Sequence, residues 1–258
     1  MKLYHRKYGQ GPAVIILHGL FGISDNWATI GRRIAEKYEV HMIDLRNHGR
    51  SPHSPVFNFP AMVSDLEELI EDLELENIIL VGHSLGGKIA MHFALQYPEL
   101  ITKLVVVDIS MRHYPAREEH LKMIEAMRSI DFSEFSNRKQ IEEVLKEKIS
   151  NERIRLFVLK NLHRIDRSTF TWRLNVNAIY ENIDNVFEGI EYENTTFNKE
   201  TLFVRAGKSN YIIDDDYSRI FQHFPEAKIQ TIEKASHWVH ADTPEELCEL
   251  LNTFLNKK

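Results

Sequence analysis

Cysteine is almost absent. The 258-residue chain holds one, Cys248, so no disulfide can form within it, and a reducing compartment, the cytoplasm, is the expected location. Long apolar runs are missing too. No stretch reaches the roughly 18 residues that a membrane helix needs. The amino-terminal Met1-Lys2-Leu3-Tyr4-His5-Arg6-Lys7 is polar and alternating, unlike a signal peptide; no membrane partner is expected. Positive charge is not in excess: 32 Lys and Arg face 38 Asp and Glu, a net charge of −6, which argues against a nucleic-acid partner. Neither an H-E-x-x-H motif nor a Cys/His cluster occurs, so no metal site is expected. Glycine is scarce in one region: only Gly189 of the 11 glycines falls between 111 and 198.

What is present is an ordinary globular composition, 43% hydrophobic and 27% charged. The length suits one α/β domain carrying an insertion, or two small domains. Short apolar runs at Ala13–Leu17, Val40–Leu45, Asn77–Val81, Leu104–Asp108, Thr201–Ala206 and Ala227–Ile232 read as buried strands. Amphipathic stretches at about 26–37, 60–73, 84–97, 215–223 and 243–255 read as helices between them. Such alternation predicts an α/β fold with a mostly parallel, doubly wound sheet, and Lys2–Tyr8 is expected to add an antiparallel edge strand. From Met111 to Asn198 the alternation stops. There, 29 of 88 residues are charged, against 41 of the 170 elsewhere, and apolar positions such as Leu121, Ile124 and Met127 step at helical spacing. We expect residues 1–110 and 199–258 to form the core, and 111–198 a helical lid over the carboxyl ends of the strands, where ligands of open α/β sheets bind.

Gly82-His83-Ser84-Leu85-Gly86 follows an apolar strand and opens a helix of small residues. G-x-S-x-G in that setting is a nucleophile elbow, a strained turn that lifts the serine hydroxyl clear of the sheet. The helix start adds amide donors and partial positive charge for an oxyanion. The strand Val14–Leu17 ends in His18-Gly19-Leu20-Phe21-Gly22. A backbone N–H just after Gly19 is the expected second oxyanion donor, Leu20 first and Phe21 second, alongside the N–H of Leu85. Ala235-Ser236-His237-Trp238-Val239-His240 lies between the last strand and the last helix, where the base of a Ser…Asp…His order falls; His237 is the expected base and His240 the alternative. Residues alone leave the acid open. Ala206-Gly207-Lys208-Ser209-Asn210-Tyr211 has no carboxylate at the usual place. Asp108, closing the strand after the nucleophile strand, is preferred to Asp214, which suits a helix start. Asp44 is expected to organise its own loop.

His-Gly-Leu-Phe-Gly at 18–22, Asp-Leu-Arg-Asn-His-Gly-Arg-Ser at 44–51, Gly-His-Ser-Leu-Gly-Gly-Lys at 82–88, Val-Asp-Ile at 107–109, Trp172-Arg173-Leu174-Asn175 and Ser236-His237-Trp238-Val239-His240-Ala241 resemble the YbfF-like esterases over nearly the whole chain. The resemblance implies the α/β-hydrolase fold, no cofactor, and a Ser84-Asp108-His237 triad, the stretch at 207–210 also suiting this group. It further implies a small-molecule acyl ester or thioester as substrate. The rival expectations are a related enzyme acting on C–C bonds or as a lyase, and a non-catalytic receptor. Among the insertion's aromatic residues Phe132, Phe135, Phe157, Phe170, Trp172, Tyr180 and Phe187, most are expected in its core and a few at an acyl pocket. Arg112, Arg117 or Arg173 would meet an anionic substrate group.

Overall fold

The computed structural model describes residues 1–116, 118–167 and 169–256; Arg117 therefore lies outside the described residues. Seven strands form one sheet: β1 (His5–Tyr8), β2 (Ala13–Leu17), β3 (Glu39–Ile43), β4 (Ile78–His83), β5 (Ile101–Val107), β8 (Thr201–Ala206) and β9 (Ala227–Ile232), in the order β1-β3-β2-β4-β5-β8-β9. Only β1 runs antiparallel, pairing His5 with Ile43 and Tyr8 with Val40 at the sheet edge. The others are parallel.

Both sheet faces are covered, which is why the central strands read as continuous apolar runs rather than as alternation. Ile15, Leu17, Leu80 and Leu104 point into one layer with α2 (Phe59–Asp72) and α3 (Leu85–Gln96). Val14, Ile16, Val81 and Val105 point into the other, with α1 (Ala28–Ile34) and α10 (Pro244–Leu255). Asn58 starts α2 by accepting the Ala61 amide, and Pro60 occupies its first turn. The edge strand β9 departs from expectation: only Ile232 is buried, because among the described residues no strand pairs beyond it and the polar residues Lys228, Gln230 and Thr231 face outward. The stretch expected to be helical over 26–37 divides into a 3₁₀ turn at Ser24–Trp27 and α1.

Between β5 and β8 lie α4 (Glu118–Arg128), α5 (Arg138–Lys148), α6 (Glu152–Leu159) and α7 (Val176–Glu181). The segment is not wholly helical. β6 (Leu162–Arg164) and β7 (Phe170–Trp172) pair as an antiparallel hairpin, Leu162 opposite Trp172. Three-residue strands carry too few residues for alternation to declare itself. The apolar interior of this segment, including Ile124, Ile141 and Leu145, is continuous with the layer on α3, so it shares a core with the sheet. Among the described residues no helix is long and apolar enough to cross a membrane.

Candidate active site

The carboxyl ends of β2, β3, β4 and β5 lie along one edge of the sheet, and the backbone is strained where the chain leaves them. Phe21, Asn47, Ser84 and Asp108 have φ of 61°, 65°, 52° and 49°. Side chains at positive φ cost energy and persist only where surroundings over-determine them. At the elbow that constraint is visible. A Cβ on Gly82 would land on the Gly86 carbonyl, and one on Gly86 on the carbonyl of Leu17 at the end of β2. Strand and helix approach closely enough to force Ser84 out at φ 52°, ψ −118°.

Ser84 Oγ–H donates to His237 Nε2 at 3.0 Å. His237 Nδ1–H donates to Asp108 Oδ2 at 2.8 Å. The other carboxylate oxygen, Oδ1, accepts the Ala206 amide at 3.0 Å. Asp108 is fully buried, and these bonds satisfy a charge that would otherwise be costly to bury. Asp214 is elsewhere: its exposed carboxylate pairs with Arg205 at 2.7 Å as the chain enters α8 (Tyr217–His223). His240 stacks on Trp27 with ring centroids 4.9 Å apart, and burial lowers its pKa to about 3. The loop of His237 is fixed from three sides. His83 Nε2–H donates to the His237 carbonyl at 2.8 Å. The Tyr211 ring stacks on the imidazole at 3.8 Å, 18° from parallel. Asp242 accepts the amide and hydroxyl of Ser236 and pairs with Arg153 of α6. Burial, with His237 nearby, also holds the His83 pKa well below its ordinary value.

The turn after β2 is built on two neutral imidazoles. The Leu45 amide donates to His18 Nε2 at 3.1 Å, and the Phe21 amide to His48 Nε2 at 3.2 Å. Each acceptor nitrogen must be bare, so Nδ1 carries the proton and donates to Gly19 O in His18 and to Arg46 O in His48. Full burial lowers their pKa values to about 4 and about 3, in keeping with neutral rings. The Phe21 amide is thus committed to His48. Leu20 lines both cavities that touch Ser84, and Leu85 the smaller of them. Asp44 accepts the Ser24 and Arg50 amides at 2.6 and 2.9 Å and so organises its own loop.

A cavity of about 110 Å³ opens at Ser84 and His237, bounded by Trp27, Met123, Phe157 and Trp238. A second, of about 20 Å³, also touches Ser84 and is lined in addition by Leu85, Lys88 and Ile109. Of the insertion's aromatic residues, Phe157 and Phe187 reach these cavities, whereas Phe132 packs on Trp172 and Tyr180 is exposed. Arg112 pairs with Asp216 at 3.1 Å, and Arg173 donates to His163; neither lines either cavity. Tyr211, Asn161 and Lys88 also brace this region, and no local motif marks them for it. Asn161, after α6, donates to the Phe21 carbonyl at 2.9 Å, and Lys88 of α3 donates to the Arg112 carbonyl at 3.0 Å. Their roles depend on partners that only folding brings near.

A constellation of hydroxyl, imidazole and buried carboxylate beside backbone amides is suited to nucleophilic acyl transfer. Comparison with known proteins points the same way. The model of the alpha/beta hydrolase fold family matches residues 12–244. The sn-1-specific diacylglycerol lipase ABHD11 of Danio rerio is 38% identical over 253 residues, 96% of this chain and 79% of its own length. Esterase YbfF of Escherichia coli is 29% identical, covering 94% of this chain and 92% of its own. A solved marine microorganism esterase superposes with a TM-score of 0.95 at 40% identity, covering 98% of this chain and 99% of its own.

Proposed function

This chain belongs to the α/β-hydrolase fold family, and from that premise we propose that it is a serine hydrolase cleaving carboxylic esters or thioesters through an acyl-enzyme on Ser84. The observation that carries the reading is the continuous hydrogen-bonded line from Ser84 through His237 to Asp108. Ser84 Oγ attacks the acyl carbon as its proton passes to His237 Nε2. Asp108 holds the imidazole in the tautomer that accepts it and offsets the charge that forms. The Leu20 and Leu85 amides stabilise the oxyanion. The protonated imidazole then gives its proton to the leaving oxygen or sulfur as that bond breaks. Water, deprotonated by the same imidazole, releases the acid and returns Ser84.

In this reading residues 1–110 and 199–258 are the hydrolase core and 111–198 its lid, which Asn161, Arg153 and Phe157 attach to the site. Small-molecule esters as substrates accord with the names of the relatives, and a cytoplasmic location with the lone cysteine. The test is hydrolysis of p-nitrophenyl acetate by a Ser84→Ala variant with unchanged circular dichroism. We expect a loss of kcat on the order of 10⁶-fold; activity within tenfold of the parent protein refutes the assignment.

A further inference from the structure

We infer that the two cavities meeting at Ser84 divide the substrate between them. The small one takes the acyl group and limits it to about two or three carbons, and the large one takes the leaving group. This rests on the serine-hydrolase reading and adds a substrate class to it: acetyl and propionyl esters of bulky alcohols or phenols.

The direction follows from the path of the proton. When the bond from Ser84 Oγ to the acyl carbon has formed and the bond to the leaving oxygen breaks, the proton taken by His237 Nε2 must go to that oxygen. The leaving group therefore lies on the His237 side. His237 lines the cavity of about 110 Å³ and is not among the residues lining the one of about 20 Å³. Leu85, whose amide would hold the oxyanion, lines only the smaller. The acyl chain, the remaining substituent on the tetrahedral carbon, is thereby directed into the smaller space. An acyl chain in the larger cavity would turn the leaving oxygen away from the imidazole.

Size follows from the walls. A group as large as one water needs about 10–15 Å³ by this measure, so about 20 Å³ admits a methyl and little more. Ile109, Tyr114, Val186 and Phe187 close it, all buried. Its floor is the stem of Lys88, whose ammonium is tied to the carbonyls of Arg112, Phe187 and Glu188; these bonds join the floor to both ends of the inserted segment. Among the described residues the small cavity shares no lining residue with the surface grooves. The large one shares Phe157 and Trp238 with a groove of about 440 Å³, and Met123 and Ile154 with another of about 430 Å³. The large space thus leads outward, and the small one adjoins it at Leu20, Ser84 and Tyr211.

The experiment varies each half of the substrate separately. With p-nitrophenol as leaving group, kcat/KM should be highest for acetate or propionate, and fall on the order of 10-fold per further methylene. With acetate held constant, 4-methylumbelliferyl acetate should remain within about 10-fold of p-nitrophenyl acetate. Val186→Ala should raise the butyrate-to-acetate ratio about 10-fold, and Val186→Leu should lower the propionate-to-acetate ratio. A parent protein that prefers butyrate or octanoate, or ratios unmoved in both variants, overturns this division while leaving the serine-hydrolase reading intact. Failure to hydrolyse any of these esters, with no fluorophosphonate adduct on Ser84, overturns both.

Discussion

The two candidate acids separate at the scale of single residues. Asp108 is buried with one oxygen on His237 and the other on the Ala206 amide, whereas Asp214 is an exposed partner of Arg205. Replacing Asp108 by Asn offers an amide to Nδ1–H and favours the wrong tautomer. A kcat loss on the order of 10⁴-fold follows, with the fold retained. Asp214→Asn removes a surface ion pair and should change kcat by less than about 3-fold. Steady-state kinetics of the two variants with p-nitrophenyl acetate decide this, and the reverse ranking would assign the acid to Asp214. Residue chemistry in the sequence prefers Asp108, at the tip of its strand, to Asp214, at a helix start, but leaves both in play because each position has a use for an acid. What separates them is reach across 129 positions of chain to His237.

Among the elements, the parts built from local signals were the legible ones. β2 and β8 begin and end where their apolar runs do, and β9 has the expected bounds without the expected burial. The elbow declares itself because strand, turn glycines and helix are contiguous in sequence. The hairpin of β6 and β7 and the contact from Asn161 to Phe21 were not legible, the first for want of length, the second because its partners are 140 residues apart. That contact carries a consequence for the turn after β2. Asn161 is buried and its amide satisfies the carbonyl of Phe21, a residue held at positive φ. Asn161→Ala leaves that carbonyl without its partner and lets the adjoining Leu20 amide drift, at a stability cost of about 1–3 kcal/mol. We expect kcat for p-nitrophenyl acetate to fall on the order of 10-fold to 100-fold with KM near the parent value, since a small misplacement acts on the transition state. An unchanged kcat would show that the turn holds its shape without this contact.

For the molecule as a whole, buried neutral histidines tie folding to pH. Burial lowers His18 and His48, both almost wholly inaccessible, to about 4 and 3, while an unfolded histidine titrates near 6.5. Below that value the unfolded chain binds protons that the folded chain refuses, so stability is complete above about pH 7 and is lost as pH falls. At pH 5 the loss is about 2 kcal/mol for each such ring. Urea unfolding at pH 7.5 and pH 5 should show a clearly lower midpoint at pH 5; equal midpoints would mean that these rings accept protons in the folded state. The most direct test of the central claim, that Ser84 accepts the acyl group, is the mass of the intact protein quenched in acid during turnover of p-nitrophenyl acetate. The account predicts a species heavier by one acetyl group, carried on the peptide containing Ser84 and missing from Ser84→Ala. An acetyl group found on another residue, or an adduct that survives in the alanine variant, would contradict it.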